Sequence, residues 1–424
     1  MSAAPDHPRD PLAWNVAIAL GFLALACVRL TIPSAPYFDE IHYLPAARAV
    51  LELGTATNIE HPPLAKQIIA LGIALFGDTP LGWRAMSAVF GTLALFAAMR
   101  GAWFAGRTAA ASVLTGVFVA TNFLLFVHAR IAMLDVFMVA FTMVALWMFA
   151  GAVRENETGR WRLALCGIAL GCAMASKWNA APVAVLPGLA FLAGRFMAGR
   201  RRFLTSRRGW PVAGVALWEA GLLLGALPLA VYAFTFWPFL YWDVSGRQPT
   251  GLVDLHALML SMQQQTADPH PYQSRWWQWI GNVRTIWYLY EQADGAQRGV
   301  MLIGNPFTML AALPALAWCA VAGWQEKRRD MLALVLLYIV SMAMWIAAPK
   351  PVQFYFHYFL PAMFASGALA LAVERLWQRG SRIVPILAVS AAVLFFVYWF
   401  PILSAAPLAD DQQFRMWAWF AGWV

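Results

Sequence analysis

The chain has 424 residues, of which 61% are hydrophobic and 12% charged, against roughly 45–50% and 25% in soluble domains. That excludes a soluble globular fold, which has no interior large enough for so much apolar surface. The net charge of +9 does not point to nucleic acid, because the basic residues stand between apolar runs and do not gather on one face.

A membrane-spanning helix needs about 20 mainly apolar residues. Such windows fall at 12–32, 82–101, 108–127, 131–150, 162–178, 180–198, 211–236, 301–323, 331–348, 354–374 and 383–400, so about eleven transmembrane helices are predicted in an all-α integral membrane protein. The first run follows the polar stretch MSAAPDHPRD without a small-residue cleavage site, and reads as a retained anchor. Cys27, Cys166, Cys172 and Cys319 all lie inside apolar runs and read as small buried hydrophobes.

Between the first two windows, the outer segment 33–81 holds two amphipathic stretches, Ile41–Leu53 and Leu64–Phe76, separated by the helix-breaking His61-Pro62-Pro63. Such stretches suit the membrane interface. The connections at Arg100 and Arg107, Arg154 to Arg162, Arg195 to Arg208, Lys327 to Arg329 and Arg375 to Arg382 are short and basic, which places them inside and the N-terminus with them. A second long outer segment, 241–300, is rich in Trp, Tyr and Gln and is expected as an aromatic outer loop. It divides the chain into an amino-terminal catalytic region (1–240) and a carboxy-terminal four-span region with its tail (301–424).

This topology brings Asp39, Glu40, His61, Lys66, Arg84, Arg130, Asp135, Lys177, Lys350 and His357 to one membrane face. Ionisable groups at membrane depth are costly and usually functional. Carboxylates beside cations suit glycosyl transfer from a lipid phosphate: one carboxylate takes the acceptor proton, and cations hold the departing phosphate. Each residue also has a plainer reading. Asp39-Glu40 can be a solvated pair at a helix exit, Asp135 a salt-bridge partner of Arg130, and His357 a hydrogen-bonding group between helices. No HExxH, paired-His, Walker or GxGxxG pattern occurs. No metal ligand is therefore assigned, and a divalent metal stays open.

Tyr37-Phe38-Asp39-Glu40, Glu60-His61-Pro62-Pro63-Leu64-Ala65-Lys66, Arg84 with Gly91-Thr92-Leu93, and Ala129-Arg130 through Asp135 resemble the amino-terminal half of the protein O-mannosyltransferase family. His270-Pro271-Tyr272-Gln273-Ser274 with Trp276 to Trp279, Gly304-Asn305-Pro306, and Phe356 to Pro361 are similar to its carboxy-terminal region, in the same order. The resemblance implies a GT-C glycosyltransferase that moves a sugar, mannose being the first expectation, with inversion from a polyprenyl-phosphate carrier to Ser or Thr of translocating proteins. By motif position Asp39 would be the base, with Glu40 its partner and Asp135 in support. His61, Lys66, Arg84, Arg130, Lys177 and His357 would bind substrate. The expected partners are membrane lipid, the lipid-linked donor and a secreted or membrane protein acceptor. The expected place is a bacterial inner (plasma) membrane with the site facing the periplasm, because the loops have no room for the luminal domain of eukaryotic members. A lipid or envelope-glycan acceptor, a transporter and a non-catalytic scaffold are the competing readings.

Overall fold

The computed structural model describes residues 9–244, 246, 248–263, 270–348 and 350–424, without the side chains of 199 and 200. Most of the polar leader and residues 264–269 of the second outer segment lie outside that set. Helix α1 (Leu12–Cys27) leads to two outer-segment helices, α2 (Glu40–Glu52) and α3 (Leu64–Phe76), separated by the prolines as expected. Helix α4 (Pro80–Gly106) starts at Thr79, whose hydroxyl accepts from the Gly82 amide, with Pro80 in its first turn.

The third window is broken. Helix α5 (Ala109–Ala120) stops at Thr121, and the Asn122 side chain then caps the short α6 (Phe123–His128). After a non-helical stretch at 129–133 come α7 (Leu134–Arg154), α8 (Gly159–Ser176), the single turn α9 (Ala181–Ala184) and α10 (Leu186–Gly199). Helix α11 (Leu217–Gly221), a π-turn and α12 (Leu227–Thr235) form one continuous apolar rod.

The second outer segment is not a plain loop. It folds into α13 (Leu252–Gln263), α14 (Trp276–Ile280) and an antiparallel hairpin of β1 (Ile286–Ala293) and β2 (Ala296–Leu302). The turn residues Asp294 (φ 47°) and Gly295 (φ 75°) are both left-handed, as a tight two-residue hairpin turn requires. A bulge between Trp287 and Leu289 leaves Tyr288 outside the ladder. The Ser34 amide donates to the Asp294 carboxylate at 2.8 Å, tying the hairpin tip to the first outer segment. The four remaining long helices are α15 (Pro306–Gln325), α16 (Arg329–Ala347), α17 (Phe359–Gln378) and α18 (Ile383–Leu403). Asn305 caps α15, while Gly304 presents its amide to Asn282 Oδ1 and the Tyr355 hydroxyl, so the Gly-Asn-Pro motif anchors a helix start.

Among the described residues, eight helical stretches are long and apolar enough to cross a membrane: 80–106, 134–154, 178–198, 217–235, 306–325, 329–347, 355–378 and 383–403. The protein is thus an integral multi-pass membrane protein, though eight is short of the eleven windows. The other three windows are helical but fall short: α1 has 16 residues, α5 has 12, and α8 carries Arg160 and Arg162 in its first turn. The stretch containing α17 is 94% buried and forms the centre, whereas those of α16 and α18 are 28% buried and face outward. Helices α4, α7 and α8 pack side by side. A Cβ on Gly91 would lie 2.5 Å from the Ala129 Cβ, so only glycine lets α4 approach the break before α7 this closely. The four cysteines are free; Cys166 and Cys319 are buried, but Cys27 is exposed on the helix surface.

Candidate active site

The first outer segment meets the break before α7 through one buried ion pair. Glu40 takes Arg84 Nε and Nη2 in a fork, both at 2.7 Å, with both side chains fully buried. Glu40 also accepts from the Ala132 amide at 3.0 Å and the Tyr37 amide at 3.2 Å. The remaining Arg84 donors go to the carbonyls of Leu30, Pro33 and Ala35. This pair is saturated by protein groups, which fits a fastening role better than contact with substrate.

Arg130 is consumed in the same way. It donates to the carbonyls of Ala26, Val28, Arg29 and Ser404, stitching the end of α1 to the end of α18. It does not pair with Asp135. The partner of Asp135 is Lys177, whose Nζ lies 2.9 and 2.7 Å from the two carboxylate oxygens. The reason is local: the non-helical stretch between Arg130 and α7 lets the guanidinium turn back toward α1, while Asp135 in the first turn of α7 faces the end of α8. Lys177 also sits 4.9 Å from the centre of the Phe356 ring. Lys66 is buried too, and donates to the carbonyls of Asn58 (2.5 Å) and His61 (2.8 Å). Burial pushes its ammonium down to about 7.

Asp39 is different. It stands at the N-cap of α2, half-buried, and among the described residues its one side-chain partner is the Tyr43 hydroxyl at 3.4 Å. Burial pushes its carboxyl up to about 6, with Lys177 pulling the other way and Asp135 adding to the rise. A carboxylate so poised is largely ionised at neutral pH yet basic enough to take a hydroxyl proton.

Lys177, whose charge acts on Asp39, lines a cavity of about 350 Å³ together with His61, Trp178, Trp345 and Lys350. His61 accepts from Gln263 Nε2 at 3.3 Å, and burial followed by Lys177, Lys350 and Lys66 pushes its imidazole well below the usual range, so the ring is neutral. Lys350 has no hydrogen bond or ion pair to another described residue. Burial and Lys177 push its ammonium down to about 8. His357 stacks on Trp345 at 3.8 Å, and its Nδ1 accepts from the Phe354 amide at 3.0 Å. Its Nε2–H is buried and has no hydrogen-bond partner among the described residues. Among the described residues it makes no hydrogen bond to another helix, the alternative open from sequence. Among the described residues, no three His, Cys, Asp or Glu side chains converge closely enough to share a metal ion.

The structure therefore gathers Asp39, His61, Asp135, Lys177, Lys350 and His357 in one place. Glu40, Lys66, Arg84 and Arg130 stand around them with their polar groups engaged by protein. Sequence reasoning had placed Lys350 on this face without giving it a role, although a lysine between Pro349 and Pro351, just after an apolar run, is a signal of its own.

Two family models match the chain: dolichyl-phosphate-mannose-protein mannosyltransferase over residues 60–220, and the C-terminal four-transmembrane region of protein-O-mannosyltransferase over residues 249–423. Among curated proteins, the polyprenol-phosphate-mannose–protein mannosyltransferase of Mycobacterium tuberculosis is 28% identical over 93% of this chain and 88% of its own. That of Corynebacterium glutamicum is 24% identical over 98% and 94%. Among solved structures, the Saccharomyces cerevisiae Pmt1–Pmt2 protein O-mannosyltransferase complex bound to the sugar donor superposes with a TM-score of 0.80 at 14% identity, covering 100% of this chain and 93% of that one. ArnT from Cupriavidus metallidurans bound to undecaprenyl phosphate gives 0.59 at 18%, covering 91% and 70%. The architecture is that of the GT-C membrane glycosyltransferases, and the chain belongs to the protein O-mannosyltransferase family.

Proposed function

We propose that this protein is an inverting mannosyltransferase that moves mannose from a polyprenyl-phosphate carrier to Ser or Thr hydroxyls of secreted or membrane proteins. It works on the outer face of a bacterial inner membrane. The observation that carries this reading is one poised carboxylate, Asp39, near a cavity lined by Lys350, which has no hydrogen-bond or ion-pair partner among the described residues, and by Trp345, on which His357 stacks. The curated relatives' names supply the donor and the acceptor class.

In the reaction the acceptor hydroxyl gives its proton to Asp39 as its oxygen bonds to the anomeric carbon. The bond from that carbon to the phosphate oxygen breaks on the opposite face, and charge builds on the phosphate. Lys350, the His357 Nε2–H and Lys177 meet that charge. Asp135 holds Lys177 in place through both of its carboxylate oxygens. One carboxylate suffices, because a single displacement needs no covalent enzyme intermediate.

Two outcomes follow. Turnover rises with pH through an acid limb centred at about 6, since Asp39 is protonated and inactive below that value; a rate–pH profile at saturating donor checks it. Lys350→Ala raises the donor KM about tenfold or more while lowering kcat less, read from steady-state kinetics with polyprenyl-phosphate-mannose. The function itself is tested by mass spectrometry of secreted proteins from cells with and without this protein. The proposal expects Ser/Thr-linked hexose to disappear. Unchanged protein glycans beside an altered envelope lipid or polysaccharide would instead assign the lipid or glycan acceptor.

A further inference from the structure

Phe38, the residue before Asp39, holds a left-handed backbone at φ 51° although it is not glycine. What keeps it there is stacking. Its ring lies 3.9 Å from the ring of Tyr288 at an interplanar angle of 19°, and edge-on to Phe356 at 6.3 Å. Tyr288 reaches this position because it is the bulged residue of β1, freed from the strand ladder and turned into the protein. Its hydroxyl lies 3.2 Å from His128 Nε2.

The roles in that last contact are fixed. His128 Nδ1 is 2.7 Å from the Leu124 carbonyl, which can only accept, so Nδ1 carries the hydrogen. In the neutral ring Nε2 then accepts, and Tyr288 donates. The imidazole is fully buried and stacked on Phe359 at 4.6 Å. A chain of contacts thus runs from the core at His128 through Tyr288 and Phe38 to the backbone of Asp39.

We propose that Tyr288, held by His128, is a positioning residue that sets the Asp39 carboxylate for proton transfer. The inference rests on Asp39 being the base. Neither Tyr288 nor His128 need touch substrate. The charged and titratable groups facing Asp39 are Lys177, Asp135, His42, Tyr43 and Lys350, and those facing Tyr288 are Asp135, Asp39, Tyr37, Tyr43 and His128.

The test uses the full chain with polyprenyl-phosphate-mannose and a Ser/Thr peptide. Tyr288→Ala removes the stacking surface, so kcat falls about tenfold while the donor KM stays within about twofold. The acid limb of its kcat–pH profile moves below about 6, because water reaches the Asp39 carboxylate and relieves the burial that raised it. Tyr288→Phe keeps the ring and loses only the hydrogen bond to His128, so it retains at least about a third of kcat. In an Asp39→Asn background, Tyr288→Ala produces no further fall, since there is no base left to place. Wild-type kcat and pH midpoint in Tyr288→Ala, equal losses in both Tyr288 variants, or a full further fall on Asp39→Asn overturns the inference. Near-normal turnover in Asp39→Asn alone overturns the base assignment instead, so the two failures are distinct.

Discussion

Asp39→Asn lowers turnover by about 100-fold or more at neutral pH, the usual size of a general-base effect, and leaves donor affinity within about twofold. The substitution keeps the shape of the side chain and removes its basicity. Little else depends on that carboxylate: its hydrogen bond from Tyr43 is long, at 3.4 Å, and it forms no ion pair within 4.0 Å of a cation among the described residues. Asp135 offers the contrast. It is fully buried and holds both oxygens against Lys177, so protonating or replacing it breaks a pair before it affects any proton transfer. Asp135→Asn therefore acts mainly on the donor KM, through a mispositioned Lys177. Single-turnover kinetics with pre-bound donor separates the two variants. If Asp39→Asn kept near-normal single-turnover rates while Asp135→Asn abolished them, the base would be Asp135.

Arg84→Ala has the second large effect, on folding. It leaves the Glu40 side chain fully buried with only two backbone amides as donors among the described residues, and breaking a buried pair from one side costs about 3–5 kcal/mol. Three carbonyls of the first outer segment lose their donor at the same time. Arg84→Lys rescues little, because an ammonium cannot form the two-pronged contact with Glu40 and also reach Leu30, Pro33 and Ala35. Thermal unfolding of the detergent-solubilised protein measures the loss. An unchanged unfolding temperature together with abolished donor binding would return Arg84 to the substrate site.

How much of this was legible before the fold was known depends on distance along the chain. The prolines after His61 stand immediately before α3, and α2 ends well ahead of them at Glu52, so the two could be read locally as separate helices. That Asp39, His61, Lys177 and His357 lie near one another followed from the order of apolar windows. Partner choice did not. Asp135 and Lys177 are 42 residues apart, and nothing near either names the other. Arg130 looked like the natural partner at a spacing of five until the break before α7 turned it toward the end of α1. Carbonyl groups, which no sequence displays as ligands, absorb Arg84, Arg130 and Lys66, and this separates fastening cations from the lysines proposed to meet the phosphate. The hairpin was missed although its signal was present: Asp294-Gly295 between Ile286-Trp287-Tyr288-Leu289-Tyr290 and Val300-Met301-Leu302 is a strong short-range turn pattern. Tyr288 was missed with it, because only a bulge makes that residue face the site.

The central claim is transfer of mannose from polyprenyl phosphate to a hydroxyl amino acid on a protein. Its most direct test incubates the purified protein with polyprenyl-phosphate-mannose and a peptide containing Ser or Thr, then determines the mass of the peptide and the anomeric configuration of any attached sugar. The expected product is a peptide heavier by one hexose, attached through the Ser or Thr oxygen, with the anomeric configuration inverted relative to the donor and Asp39→Asn as the inactive control. Retained configuration in the product, or donor consumed while varied Ser/Thr peptides stay unmodified, would contradict it.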